Sequence, residues 1–257
     1  MSELVGRRVF DLEQMRWAGA PIHPGHVPPG FSYLLHRRHE PQGASPDGRT
    51  GSAGTLITSE HAGTHIDAFT HQALDLKLCG GVDARTTATA FGYTELGVET
   101  IAPIVTRGWL VDLGVVEPDR WIGLDELRQA AGDQGVRPGA GDVVLVRTGN
   151  GAHWEDQARY LRGAGMTGGV SRWLADAGVV AVGADNMAWD YAHGPDPDLG
   201  VSLPGHGILL VRRGVYIMEN LFLEELAEAG AHEFTFVCTP LKIRGATGSP
   251  VRPLALV

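Results

Sequence analysis

Residues 59–71, SEHAGTHIDAFTH, place His61, His65, Asp67 and His71 within one short stretch. All four side chains fall at odd positions and would share one face of a β-strand. A strand rises roughly 3.3 Å per residue, so it would separate His61 from His65 by about 13 Å, which is the limit for two imidazoles that bind one ion. A helix would instead point the His61–His65 pair and the Asp67–His71 pair in different directions. The chain must therefore bend within this stretch.

Gly63 is the residue that permits this bend. We expect a strand to end near His61, the chain to turn at "GTH", and Asp67 and His71 to fold back over the same point. Two neutral imidazoles and a carboxylate form a mixed nitrogen and oxygen donor set that suits Zn²⁺, Mn²⁺ or Fe²⁺. The stretch thus predicts a divalent-metal site. The alternative is a set of surface or core histidines that cluster without a ligand.

A second segment, "LPGHGILLVRRGVYIMENL", contains His206 and Glu219. Its apolar runs predict a pair of strands that turn at "RRG", with Glu219 at the end of the second strand. An unpaired charge would be costly to bury there, and binding to a cation would remove that cost. The alternative is a carboxylate at a helix N-terminus, where the helix dipole favours it. Spacing alone leaves both interpretations of Glu219 open.

The rest of the chain has ordinary globular composition, with 257 residues, 43% hydrophobic and 20% charged. We expect a single domain over residues 1–257 of mixed α/β class. Val- and Ile-rich runs predict strands buried on both faces. These runs are "IAPIVTRGWLVDL", "GDVVLVRTG", "VVAVGAD" and "EFTFVCTPLKI". Helices are expected in three segments. Gly132 would end the helix in "GLDELRQAAGDQG", and the helix in "GVSRWLADAG" would have Ser171 near its start and Gly178 after it. The helix in "NLFLEELAEAG" would have Asn220 as N-cap and Gly230 at C′.

An N-terminal arm, about residues 20–55, is rich in Pro, Gly and Ser. It predicts a long loop around one short apolar piece, "FSYLL". Loops of this length in a compact domain are often functional lids or binding arms.

The net charge of −9 argues against nucleic acid or an anionic membrane as a main partner. No apolar run approaches the roughly 18 residues of a membrane span, and no signal peptide is evident, so a cytoplasmic location is expected. Cys79 and Cys238 lie far apart and outside any CxxC, which predicts free thiols.

The stretch "HAGTHIDAFTH" resembles the HxGTHxDxPxH motif of the metal-dependent cyclase/hydrolase family that includes bacterial kynurenine formamidase and isatin hydrolase. The resemblance covers the whole chain, since "VFDLEQMRWAGAPIHPG", "VGADNMAWD" and "PLKIRGATGSPVRPLAL" occur in the family's order. It implies a swivelling β/β/α fold and a homodimer or homotetramer. Two departures, Phe69 for the usual Pro and Ala188 for Ser, lie where the substrate would bind.

The resemblance also implies residue roles. His61, His65 and Asp67 resemble the metal ligands, and His71 resembles the catalytic acid/base. His206 and Glu219 correspond to ligands in the two-metal members and only line the site in one-metal members. We expect one ion, Mn²⁺ or Zn²⁺, because the chain is closer in length to isatin hydrolase.

These features predict a hydrolase that cleaves an amide, lactam or lactone bond of a small, cyclic or aromatic substrate. His71 would be poised near neutral pH to move the proton. Phe69, Trp189 and Trp17 are candidates for an aromatic wall around a flat ring, although each is also an ordinary core residue. One alternative is a lyase, dehydratase or cyclase with the same metal. Another is a non-enzymatic metal-binding or small-molecule-binding protein, which would leave His71 unexplained.

Overall fold

Nine strands form the main sheet in the part of the chain that the structure, a computed structural model, describes: residues 6–40, 43 and 45–257. In chain order the strands are β1 Val9–Asp11, β2 Phe31–Arg37, β3 Ala53–Thr58, β4 His65–Asp67, β5 Ala88–Thr89, β6 Gly92–Tyr93, β7 Ile104–Asp112, β8 Trp121–Ile122, β9 Val143–Arg147, β10 Gly165–Met166, β11 Ala181–Ala184, β12 Tyr216–Glu219, β13 Glu233–Cys238, β14 Gly248–Pro250 and β15 Leu254–Leu256. The main sheet has the order β1-β15-β13-β7-β9-β11-β12-β4-β14. Three two-stranded sheets, β2–β3, β5–β6 and β8–β10, lie outside it.

The centre of the main sheet is parallel and buried on both faces. Strands β7, β9, β11 and β12 pair in parallel, and the flanking strands are antiparallel. Along β9, Val144 and Val146 face one apolar cluster, while Val143 and Leu145 face another. This confirms the mixed α/β class and the expectation of strands without a solvent-exposed face.

Helices and short helical turns connect the strands. The α-helices are α1 Ala84–Thr87, α2 Leu124–Asp133, α3 Gln157–Tyr160, α4 Gly168–Asp176, α5 Pro204–His206 and α6 Glu224–Glu228; the 3₁₀ turns are Pro24–His26, Cys79–Gly81, Val98–Thr100 and Asn150–His153. None of the helices in the described residues is long and apolar enough to cross a membrane. Both cysteines are free thiols, as expected.

Two of the expected helix ends are in different places. Helix α2 runs through Gly132 and ends at Asp133, and the left-handed glycine after it is Gly135, with φ +69°. Asn220 does not cap α6, which begins four residues later at Glu224. Asn220 itself has φ +57°. Gly178 and Gly230 do follow their helices with positive φ, as predicted.

The expected strand pair around "RRG" is only half correct. Residues Gly207–Arg213 form a π-helical turn that continues α5, and β12 alone is a strand. Pro204 at the first turn of α5 and Gly214, with φ +65°, bound this helical segment. The four apolar residues 208–211 are all buried. In a short run of only apolar residues, the hydrophobic pattern has no periodicity that could distinguish a strand from a helix.

The N-terminal arm is also more regular than a loop. Strands β2 and β3 pair as an antiparallel hairpin in which Tyr33 lies opposite Leu56. The piece "FSYLL" therefore belongs to a seven-residue strand. Nearly all residues of the hairpin are exposed.

We predict that Leu145→Ala lowers the free energy of unfolding by about 2–5 kcal/mol, because it opens a cavity in the centre of the sheet. Leu145 is completely buried, whereas Val105 on the neighbouring strand β7 is 60% exposed. Val105→Ala is the matched control and should change stability by less than about 0.5 kcal/mol. Chemical denaturation measures both, and equal effects would contradict this description of the core.

Candidate metal centre

Gly63 makes the bend that the sequence predicts. Its φ is +64°, and a Cβ atom there would lie 2.5 Å from Nη1 of Arg16. The Arg16 guanidinium donates hydrogen bonds to the carbonyl oxygens of Ala62 and Thr64, on either side of this glycine. A side chain at this position would therefore strain the backbone and displace the arginine.

Strand β4 then carries two of the candidate ligands between two neighbouring strands. His65 lies opposite Glu219 of β12, and Asp67 lies opposite Gly248 of β14. Residues directly opposite in an antiparallel pair share a face, so the three ionisable side chains point the same way. Gly248 leaves room for His61, because a Cβ atom there would lie 2.7 Å from Cε1 of that ring.

The five candidate ligands meet at one point. Asp67 Oδ1 lies 2.9 Å from Nδ1 of His61 and 3.6 Å from Nε2 of His65, and Asp67 Oδ2 lies 3.8 Å from Nε2 of His206. Glu219 directs one oxygen to each side, with Oε2 3.3 Å from Nε2 of His65 and Oε1 3.3 Å from Nε2 of His206.

The other nitrogen of each imidazole is already engaged. The Thr247 hydroxyl donates to Glu60, so Nε2 of His61 donates to Oγ1 of Thr247 at 2.9 Å. Nδ1 of His65 donates to the carbonyl oxygen of Gly63 at 2.8 Å. These bonds fix the tautomer of each ring and leave a lone pair directed at the carboxylates, the arrangement usual for metal-binding histidines.

His206 is oriented in the same way by Asp190, whose Oδ2 accepts from Nδ1 at 2.8 Å. Asp190 also accepts from the backbone N–H of Gly205 at 2.7 Å. The preceding residue, Trp189, has φ +52° and is completely buried, and its indole N–H donates to Ser171 at 3.0 Å. This anchored turn holds the Asp190 carboxylate against the ring.

The donor set fits a divalent cation. Among the described residues, the buried atoms of this cluster without a hydrogen-bond partner are His61 Nδ1, His65 Nε2, both oxygens of Asp67 and Glu219 Oε1. Buried polar atoms are nearly always paired in native proteins, so a cluster of unpaired ones calls for a ligand. Imidazole nitrogens with carboxylate oxygens are the donors that Zn²⁺ and Mn²⁺ accept.

The electrostatics agree with a site built for positive charge. Burial alone would raise the pKa of Glu219, as would Asp67, but the His206 and His65 rings outweigh both and lower it. Burial alone would lower the pKa of His65, but the facing Glu219 carboxylate raises it above its ordinary value. The pKa of His206 is likewise raised, by Asp190 and Glu219 against its burial. Protons on these rings therefore occupy the positions that a cation would take.

His71 lies beside the cluster, with its ring centre 4.1 Å from that of His61 and 5.8 Å from that of His206. Burial lowers the pKa of His71 to about 3, although Asp67 opposes the shift. Burial thus favours the neutral imidazole, and the role of His71 as the catalytic acid/base stays a prediction. A ring nitrogen of His71 is also close enough to Asp67 and His206 to share an ion with them.

A small cleft of about 120 Å³, the histidine cleft, opens onto the cluster. Its lining residues are His23, Gly25, His26, His71, Gln72, Met187, Ala188, Leu203, His206 and Glu219. The ring of His26 stacks on His61 with centres 4.6 Å apart. Sequence reasoning did not single out His23 and His26, although the arm that carries them was expected to contribute to binding. It also assigned no role in the site to Asp190, and it expected Asn220 at a helix N-cap, whereas the Asn220 amide donates to Gly63 O at 3.0 Å.

The aromatic wall differs from the prediction. Trp189 is a core residue, and Phe69 stacks on Tyr216 with ring centres 4.3 Å apart. Neither ring lines the histidine cleft. Trp17 packs edge-to-face on Trp154, in a cluster that also contains Met187 and Ala188 of the cleft lining. A role for Trp17 in substrate binding stays a prediction.

Proteins of known activity have sequences similar to this chain. A kynurenine formamidase of Paracidovorax citrulli is 29% identical over 246 residues, which cover 96% of this chain and 95% of the relative. An isatin hydrolase of Roseibium aggregatum is 27% identical over 212 residues, covering 79% of this chain and 73% of the relative.

Solved structures share the fold. A crystal structure described as a novel cyclase matches with a TM-score of 0.86 and 28% identity, over 100% of this chain and 91% of the other. Isatin hydrolase A from Ralstonia solanacearum matches with a TM-score of 0.71 and 23% identity, over 97% and 92%. The sequence profile of the family described as putative cyclase matches residues 10–191. This match spans more than two-thirds of the chain, which confirms the resemblance, and the protein belongs to the cyclase family.

Proposed function

We propose that this protein is a metal-dependent hydrolase that cleaves a C–N bond other than a peptide bond, in an amide or lactam of a small aromatic substrate. The observation that carries the proposal is the convergence of three histidine lone pairs on two buried carboxylates, each ring being held by a hydrogen bond on its far side. The activities named for the relatives, kynurenine formamidase and isatin hydrolase, support the bond type. The whole chain would act as one catalytic domain.

The proposed chemistry needs a cation and a proton carrier. A divalent ion, Mn²⁺ or Zn²⁺, would polarise the scissile carbonyl and activate a water molecule. His71 would be the proton carrier, because its ring lies next to the cluster and is neutral at pH 7. A neutral imidazole can accept a proton from the attacking water and donate it to the leaving nitrogen.

The geometry favours two ion positions over the single ion expected from the sequence. His61 and His65 lie on one side of the carboxylates and His206 lies on the other. Asp67 and Glu219 each direct one oxygen to each side. We therefore propose that the site would hold two ions, one by His61 and His65 and the other by His206, with Asp67 and Glu219 as the carboxylates available to both.

We also propose that the protein is a homo-oligomer assembled through the β2–β3 hairpin. The hairpin exposes apolar side chains on both faces: Tyr33 and Leu56 are 59% and 57% exposed on one face, and Leu34 and Ile57 are 65% and 56% exposed on the other. A two-stranded hairpin is marginally stable in water without a packing partner. A cytoplasmic location stays a prediction from the sequence.

The distribution of charge supports a second copy of the chain as the partner of the hairpin. Residues 31–58 contain three arginines and two carboxylates, a net charge of +1, so the rest of the chain carries −10. Oppositely charged surfaces favour association and orient it. The hairpin of one copy is thus suited to pack on the acidic body of another.

The first prediction from the proposed function concerns the ions. Elemental analysis should find two divalent ions per chain in the unaltered protein. It should find one ion per chain after Glu219→Gln and a large loss of bound metal after His65→Ala. Because Glu219 raises the pKa of His65 and of His206, protons compete with the ions and affinity should fall as pH is lowered. His232→Ala is the control, since that ring bonds to Leu110 O away from the site. Full occupancy in His65→Ala would contradict the site.

The second prediction tests the reaction. The metal-loaded protein should hydrolyse formanilides or isatin, and His71→Ala should lower kcat by roughly 10²–10⁴ while the metal content is unchanged. Loss of metal in step with activity would make His71 a ligand. Elimination of water from a hydroxy acid without any amide hydrolysis would favour the lyase alternative.

The third prediction tests the hairpin. Light scattering after gel filtration should give a dimer or tetramer for the unaltered protein and a smaller species for Leu34→Glu combined with Leu56→Glu. Val115→Glu, at a position that is 76% exposed elsewhere, is the matched control and should leave the mass unchanged. A monomeric unaltered protein, or an unchanged mass in the double variant, would rule out assembly through the hairpin.

A further inference from the structure

The two ring nitrogens of His65 face two consecutive residues of the chain. Nε2 lies 3.3 Å from Oε2 of Glu219, and Nδ1 lies 3.4 Å from the side-chain nitrogen of Asn220. Successive residues of a β-strand point to opposite faces, but Asn220, directly after β12, has φ +57°. This left-handed backbone turns the Asn220 side chain back to the ring that Glu219 also faces.

Asn220 is a strained residue with every polar group paired. A non-glycine residue with positive φ is uncommon, although asparagine tolerates it better than most. Asn220 is 3% exposed. Its backbone N–H donates to Asn186 O at 2.8 Å, and its carbonyl oxygen accepts from the Thr64 hydroxyl at 2.5 Å. Its side chain donates to Gly63 O at 3.0 Å and accepts at Oδ1 from the Tyr160 hydroxyl at 2.8 Å. Strain that so many contacts maintain beside a candidate site indicates a functional constraint.

The carbonyl oxygen of Gly63 connects Asn220 to the ring of His65. It accepts from Nδ1 of His65 at 2.8 Å and from the Asn220 amide at 3.0 Å. Nδ1 therefore carries the proton, and Nε2 keeps a lone pair for an ion. Glycine is conformationally permissive, and a rotation of the peptide plane after Gly63 would replace this carbonyl with the N–H of Thr64. The ring would then accept at Nδ1 and carry its proton at Nε2, where the ion should bind.

Asn220 and Tyr160 together oppose this rotation. The side-chain nitrogen of Asn220 is only a donor, so it stabilises a carbonyl and not an N–H at Gly63. The amide could adapt by exchanging its oxygen and nitrogen, but the Tyr160 hydroxyl donates to Oδ1 and opposes that exchange. Tyr160 is completely buried, and its ring packs edge-to-face on Trp154 with centres 4.7 Å apart. Burial raises the pKa of the Tyr160 hydroxyl above its ordinary value, so the hydroxyl keeps the proton that it donates.

We propose that Asn220 and Tyr160 are positioning residues that hold His65 in the tautomer with its proton on Nδ1, and so keep Nε2 available to the ion. Neither side chain lines the histidine cleft. Tyr160 acts through Asn220, and Asn220 acts through the Gly63 carbonyl. Their role depends on the proposed function, because His65 must be an ion ligand. Loss of such a supporting partner usually weakens metal binding by about 10- to 100-fold.

The affinity for Zn²⁺, measured by competition with a chromogenic chelator, tests both residues. Asn220→Gly removes the side chain without straining the left-handed backbone and should weaken binding about 10- to 100-fold. Tyr160→Phe should weaken it by a smaller factor. The double variant should bind no more weakly than Asn220→Gly alone, because one residue acts through the other.

Tyr216→Phe is the matched control. Tyr216 lies on β12, and among the described residues its hydroxyl has no hydrogen-bond partner, since its ring only stacks on Phe69. Its removal should leave the affinity for Zn²⁺ unchanged.

Nitrogen NMR of the metal-free protein with labelled histidine measures the tautomer directly. The His65 signals are those that are absent from His65→Ala. At alkaline pH, where the ring is neutral, they should show the proton on Nδ1 in the unaltered protein. Both tautomers should be present in Asn220→Gly and in Tyr160→Phe.

Three results would overturn the positioning role: unchanged affinity in both variants, fully additive losses in the double variant, or weaker binding with the Nδ1 tautomer retained. If Asn220→Gly does not fold, Tyr160→Phe, which removes only the hydroxyl oxygen, decides together with its control. If the unaltered protein binds no Zn²⁺, the proposed function fails, and the NMR comparison alone decides whether the two residues hold the tautomer.

Discussion

The burial of two carboxylates side by side is the constraint on which the rest of this structure depends. Asp67 and Glu219 are 0% and 4% exposed, and they raise the cost of each other's charge. Removing a carboxylate from water costs several kcal/mol even after relaxation, and only a matched positive partner compensates for it. The facing imidazoles lower the pKa of both carboxylic acids. They do so as protonated rings, whose protons lie where a cation would bind. The cluster is therefore stabilised when it binds positive charge. Without bound positive charge, the two buried carboxylates would destabilise the fold.

The main sheet satisfies this constraint by fixing each ligand separately. His65 and Glu219 are directly paired across β4 and β12, so their separation is set by the backbone ladder. His61 lies on the bend and depends on two glycines, one that turns the chain and one that leaves space for the ring. His206 comes from a helix and depends on Asp190 for its orientation. Rigid elements and supporting hydrogen bonds give a metal site its precision.

The sequence predicted what depends on local spacing. The bend at Gly63, the buried parallel strands and the convergence of His61, His65 and Asp67 all follow from short-range geometry. It could not predict the π-helical turn at Gly207–Arg213, because an apolar run without period does not distinguish strand from helix. For Trp189 the sequence left a substrate contact and a core position both open, because an aromatic residue near a motif does not indicate the direction in which its side chain points. His26 approaches His61 only through tertiary folding of the arm.

The N-terminal arm would connect the proposed assembly to the site. The 3₁₀ turn Pro24–His26 precedes the hairpin, His61 follows it, and the base of the hairpin is closed by the bond from Ser59 N to Gly30 O at 2.7 Å. The hairpin is thus continuous along the chain with the two segments that carry the stacked His26 and His61 rings. A partner that packs on the exposed strands would restrict the arm and keep the mouth of the histidine cleft in one shape. Oligomerisation would then act on the chemistry through the position of these two rings, without any contact to the carboxylates themselves.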